Sequence, residues 1–264
     1  MCVLLANYLS ALDFSVRVID ADPQHSLLNA RKADLKSDEN HSPLFEIQRF
    51  ELHNQLNKLP EYVRELKKTG AHVLFDAPGS MENDLYMHIV MLSDVVIVPF
   101  QYEEYSIVAT GEYATVLKKL EEAYPMLKRI AIYVPNMVDT RVGRVADRKR
   151  WDAWDKDIDG VAIRSPRVPL RACIQRRNTL YMTPEEMVCV TPCFEFIVNR
   201  IFQNTSDDKL NRSVKQSTNA GVQSENSVEQ LTNLGRQLNR LDKQPNSKGG
   251  RSNSIDMRTD SLSG

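Results

Sequence analysis

Three aspartates, Asp20, Asp22 and Asp76, stand where carboxylates can do chemistry. Asp20 and Asp22 close the alternating apolar run Phe14-Ser15-Val16-Arg17-Val18-Ile19 and lead into Pro23-Gln24. Asp76 closes a second run, His72-Val73-Leu74-Phe75, and leads into Ala77-Pro78-Gly79. A strand that ends in an acid delivers it to the sheet edge where α/β proteins place ligands. Carboxylates there hold Mg²⁺, usually through water, and Pro78-Gly79 permits a tight turn whose N–H can approach a phosphate. Taken singly, each aspartate reads as a turn former or a helix cap. Two acid-tipped strands in one α/β unit favour a nucleotide site.

The elements that must position these acids follow from periodicity. Val3, Leu4, Leu5, Tyr8, Leu9 and Leu12 predict one helix face over residues 1–12, ahead of a strand at 14–19. A short helix near 26–34, a short strand near 45–50 and a helix over 54–69 ending at Gly70 come next. The strand at 71–76 precedes a helix over 82–92. Asp94-Val95-Val96-Ile97-Val98-Pro99 has the β-branched composition of a strand buried on both faces. A helix over 105–123, a strand at 129–134, a charged helix over 140–156 and a strand near 161–164 complete the alternation. Thr183-Pro184-Glu185-Glu186 opens a last helix, expected to run to about Gln203 with a bend at Pro192. Alternating strands and helices predict an α/β fold, a mostly parallel sheet with helices on both faces.

Residues 204–264 contain no aromatic residue and are rich in Asn, Ser, Gln, Lys and Asp, so they read as a polar, largely disordered tail behind a domain at 1–203. Within it Leu231, Leu234, Leu238 and Leu241 predict a short leucine-rich helix near 227–242, either a lone helix or a pairing segment. The net charge of −1 points to neither nucleic acid nor a membrane surface by itself. Four cysteines fit a reducing cytoplasm; no apolar run approaches the length of a membrane span, and the first residues have neither the basic region nor the small-residue cleavage site of a signal peptide.

Four segments together carry a family resemblance. Asp20-Ala21-Asp22-Pro23-Gln24-His25-Ser26 resembles the Asp-x-Asp-Pro-Gln-x-Ser segment of ParA/MinD-type ATPases, which have a deviant Walker motif. Asp76-Ala77-Pro78-Gly79 resembles their Walker-B and switch II segment. Asn136-Met137-Val138-Asp139-Thr140-Arg141 is similar to the stretch after a late strand, and Pro166-Arg167-Val168-Pro169-Leu170 to the segment near the base. The motifs keep family order and spacing over residues 1–203, with a flavour of the ParA-like proteins of conjugative elements. The resemblance implies that Asp22 orients or activates the attacking water, Asp76 holds the Mg²⁺ shell, and Gly79 senses the γ-phosphate of ATP. It places Pro166 and Arg167 near adenine and ribose, and Asp20 behind the loop. It also implies a cytoplasmic homodimer driven by ATP, non-specific DNA binding, a partner protein that stimulates hydrolysis, and segregation or mobilisation of a replicon. Arg171, Arg176, Arg177 and Arg200 are the DNA-binding candidates; a solvated basic face is the alternative.

One part of the family pattern is absent from residues 1–264: the Lys-Gly-Gly-Val-Gly-Lys loop, followed by Ser or Thr, that cradles phosphates ahead of the first helix. Gly249-Gly250 lies in the polar tail and is no substitute. The strand before that loop is missing too, which predicts two unpaired strand edges inside the sheet. Met1 is accordingly expected to be an internal methionine of a longer protein, from a wrongly assigned start or a disrupted gene. A degenerate, non-hydrolysing interaction protein is the rival reading; a deviant-Walker reductase or ion-pump ATPase fits the Asp-Pro-Gln segment less well. Cys189 and Cys193, four apart, read as buried small hydrophobes rather than a metal pair, and Trp151 and Trp154 as packing rather than base-stacking platforms.

Overall fold

Short apolar runs alternate with amphipathic ones, and the chain folds accordingly. The computed structural model describes residues 1–51, 55–79, 84–126, 129–139, 141 and 144–215, with side chains to Phe202. In chain order the elements are α1 (Cys2–Ala11), β1 (Val16–Asp20), α2 (Ser26–Ser37), β2 (Glu46–Arg49), α3 (Leu59–Lys68), β3 (His72–Asp76) and α4 (Asp84–Leu92). Then come β4 (Val95–Phe100), α5 (Glu104–Ala123), β5 (Ile130–Pro135), α6 (Val145–Asp159), β6 (Ile163–Arg164), α7 (Ala172–Gln175) and α8 (Pro184–Lys215). Gly70 ends α3 at φ +71°, a conformation glycine adopts without a Cβ penalty. Thr183 and Glu186 form the capping box of α8: the Glu186 N–H donates to Thr183 Oγ1, and the Thr183 N–H to Glu186 Oε2 at 2.7 Å. The helix continues through Pro192 to Lys215. The leucine segment at 227–242 lies outside the described residues.

All strand pairs are parallel, in two three-stranded sheets of order β2-β1-β3 and β4-β5-β6. Side-chain alternation separates the faces. Val16, Val18, Leu74, Ile97 and Ile132 share one core with α1 and α8. Ile19, Val73 and Phe75 pack with α3 and α4 on the other side, as Val96 and Val98 pack with α4 and α5. Helix α4 thus spans both sheets: Leu85 and Ile89 serve one, Tyr86, Met87 and Val90 the other. Lys67, at the end of α3, meets Asp94, just before β4, at 2.9 Å, so β3 and β4 start on the same side of the molecule.

β3 and β4 are not hydrogen-bonded to each other, and each is the edge of its sheet. This corrects one sequence-based expectation. Val95, Val96, Ile97 and Val98 were expected to be buried on both faces but are only half buried, because the strand lacks a neighbour on one side. Helix α1 is apolar beyond one stripe: Val3 to Leu9 are all buried, since it wedges between β1, β3 and α8.

Candidate functional site

Parallel pairing brings the carboxyl ends of β1 and β3 together with Asp20 opposite Asp76. The Ala21 N–H donates to the Asp76 carbonyl at 3.0 Å, locking the register one step beyond the strands. Asp20 is fully buried; its Oδ2 accepts the Leu28 N–H at 3.1 Å in the first turn of α2, and its Oδ1 has no hydrogen-bond partner among the described residues. A carboxylate at this helix start is favoured by the unpaired amides there. Asp22 is half buried and folds its own loop, with Oδ1 accepting the Gln24 N–H at 2.9 Å. His25 follows in the left-handed region at φ 48° and turns the chain into α2. The short loop after β1 therefore holds Asp22 at the mouth while Asp20 braces it from below.

Burial pushes the Asp76 carboxyl above the ordinary carboxylate range, and Asp20 and Asp22 add to the rise. Pro78 is buried, Gly79 exposed, and a Cβ at Gly79 would meet nothing within 4 Å, so the loop leaves open space there. A carboxyl raised in the folded state stabilises the protein fully only below the unfolded value, and that stability is lost as pH rises through the folded one. Asp76→Asn removes this loss. The variant is expected to melt above the parent at pH 7 and level with it below pH 3.8, the ordinary aspartate value. Equal melting curves at pH 7 would refute the electrostatic conflict at this site.

The second sheet brings two other motifs together. Beyond β5, Asn136 donates its N–H to the Phe100 carbonyl, and Met137 turns the chain at φ 56°. Val138 then pairs with the segment after β6: its N–H donates to the Val168 carbonyl, and its carbonyl accepts the Leu170 N–H. Pro166 is exposed on this segment, but the Arg167 guanidinium is committed. It donates to Asp155 and Asp152 at 2.7 Å and lies 5.0 Å over the Tyr102 ring. Trp151 and Trp154 stack on the same ring, 5.2 and 6.4 Å between centroids, which makes them packing groups. Asp139 holds Arg141 through two bonds of 2.9 Å, and the guanidinium pulls its carboxyl down to about 2.

Arg171, Arg176 and Arg177 are exposed at the two ends of α7, and Arg171 lines an open pocket of about 380 Å³ with Arg141, Cys173 and Glu185. Arg200 is exposed farther along α8, stacked 5.3 Å over Phe196. It lies eleven residues past the Cys189 contact with α7, about 16 Å along the axis at 1.5 Å per residue. Three of the four arginines are thus grouped and the fourth stands apart. Sequence reasoning missed the Arg167–Asp155–Tyr102 cluster, whose members come from three separate segments.

No family model matches the sequence, and no curated protein does. Solved structures do. A putative plasmid partition protein of Borrelia burgdorferi B31, solved with AMPPNP, is 13% identical over 75% of this chain and 91% of its own, at a TM-score of 0.55. McdA of Cyanothece, in an ATP complex, is 15% identical over 75% and 90%, at 0.53. The cell division ATPase MinD of Pyrococcus furiosus is 15% identical over 75% and 92%, at 0.51. The chain has the ParA/MinD-type fold. Among the described residues no helix is long and apolar enough to cross a membrane.

Proposed function

We propose that this chain, on its ParA/MinD-type fold, is a partition ATPase of the ParA family whose residues 1–264 grip ATP poorly by themselves. The observation that carries the reading is the in-register pair Asp20 and Asp76 at the ends of β1 and β3. Asp22 serves the attacking water, Asp76 the Mg²⁺ shell, and the Gly79 N–H the γ-phosphate. Pro166 flanks the base, and Arg167 shapes that loop through its ion pairs. The structure fits a Mg²⁺ ion better than it fits the triphosphate. Asp76 is a half-buried, raised carboxyl paired in register with Asp20, whose Oδ1 is unpartnered among the described residues, and a cation would relieve both. No group of three His, Cys, Asp or Glu converges among the described residues, which suits Mg²⁺, commonly held by one or two carboxylates plus water and phosphate. When bound, the ion would neutralise phosphate charge. For the phosphates themselves, residues 1–264 contain no glycine-rich lysine loop.

The expected result is Mg²⁺-dependent binding of a fluorescent ATP analogue with Kd on the order of 1 mM, without turnover above background. Asp76→Asn should remove the Mg²⁺ dependence. Binding indifferent to both the ion and the substitution would sink the reading. ATP-coupled dimerisation, DNA contact through Arg171, Arg176, Arg177 and Arg200, a stimulating partner protein and a role in replicon segregation or mobilisation in the cytoplasm belong to the same proposal. The second reading is a degenerate interaction protein that keeps its dimer and partner surfaces without binding nucleotide. Sedimentation separates the two, because dimerisation that requires ATP removes the degenerate form.

A further inference from the structure

The sequence set Cys189 beside Cys193, but the fold pairs it with Cys173 instead. Cys173 on α7 and Cys189 on α8 bring their Sγ atoms to 3.8 Å, and both residues are half buried. Cys193 is fully buried one turn along α8, donates to Ser165 Oγ at 3.3 Å, and is raised to about 11 by burial. Cys2 is raised to about 12, also mainly by burial. We propose that Cys173 and Cys189 are a modification site, a dithiol that a hydroperoxide closes to a disulfide, clasping α7 onto α8.

The geometry favours closure. A disulfide needs the sulfurs to approach to about 2.05 Å, and α7 is a single turn of four residues, so closing the gap asks a shift of one short element only. The pocket lined by Arg141, Arg171, Cys173 and Glu185 opens Cys173 to a small oxidant. Burial raises the Cys189 thiol, as does its bond with Cys173, while Arg171 favours the thiolate. One thiolate attacks a peroxide oxygen and breaks the O–O bond, giving a sulfenic acid and releasing an alkoxide or hydroxide that takes up the thiol proton. The second thiol attacks the sulfenic sulfur and expels water. Two thiols and one hydroperoxide thus give one disulfide, one alcohol or water, and one water; the sulfurs lose two electrons and the peroxide gains them.

Formation of this bond does not depend on the nucleotide reading; only its effect on DNA contact, through the arginines bordering α7, rests on it. The test is to treat the folded full chain with hydrogen peroxide, block free thiols with iodoacetamide, and digest with trypsin without reductant. Peptide 172–176 should appear joined to peptide 178–200, lighter by two hydrogens than their sum, with fragmentation placing the bond on Cys189. Thiols titrated in denaturant should fall from the four of the sequence to two. The link should vanish in Cys189→Ser and persist in Cys193→Ser. A link through Cys193, linkage only between chains, or sulfinic and sulfonic products without the link would each overturn the proposal.

Discussion

Phe194→Ala is expected to destabilise the protein by about 3–5 kcal/mol, the cost of emptying a large buried aromatic site, and to lower the melting temperature by about 10 °C. Phe194 is fully buried on α8 and meets the Tyr8 ring of α1 edge-on at 5.4 Å. Its core cluster holds Val16 and Val18 of β1 together with Ile132 and Val134 of β5, so it joins two sheets that share no hydrogen bond. The variant should therefore lose amide protection in both sheets at once. A loss confined to one sheet, or a cost below about 1 kcal/mol, would show that α8 covers the sheets without uniting them. Folded proteins hold only about 5–15 kcal/mol in reserve, so this one side chain bears on whether the acid-tipped strands keep their register.

What the sequence revealed, and what it hid, divides along a physical line. The strands at 71–76 and 94–99 and the helix opening at Thr183 were legible because their signals are local: a β-branched run, an N-cap, an acid three residues on. The strands appear as β3 (His72–Asp76) and β4 (Val95–Phe100), and the cap as a reciprocal pair of hydrogen bonds. Asp20 and Asp22 were legible as a pair, and the resemblance set Asp20 behind the loop, but its partner, the Leu28 amide of α2, was not legible because it lies eight residues on in another element. Helix α7 is too short to show a period, and without it the partner of Cys189 could not be named. Arg167 shows the same limit. Its motif marks a place in the chain, whereas its guanidinium answers to Asp152 and Asp155 on a different element.

Asp155→Ala should cost about 3 kcal/mol, the lower end of what breaking a buried ion pair from one side costs. Asp155 Oδ1 accepts the Tyr102 hydroxyl at 2.6 Å, and its Oδ2 accepts Arg167 at 2.7 Å and pairs with Arg164 at 3.3 Å. The side chain is only 11% exposed, and those of Arg164 and Arg167 are 17% and 29% exposed. Removing it strands two guanidinium groups and a phenol in low dielectric. The loss stays at the lower end because Arg164 keeps Asp159 at 2.8 Å and Arg167 keeps Asp152 at 2.7 Å. Asp152 is 63% exposed, so Asp152→Ala should cost under about 1 kcal/mol. Both tryptophans of the chain stack on Tyr102, so their fluorescence should change in Asp155→Ala and hold in Asp152→Ala. The double variant Asp155→Leu with Arg167→Met should be more stable than Asp155→Ala alone, because it removes one stranded charge along with its partner. Equal losses in Asp155→Ala and Asp152→Ala would free the Arg167 guanidinium from this cluster and return it to the base-side role that its motif implies.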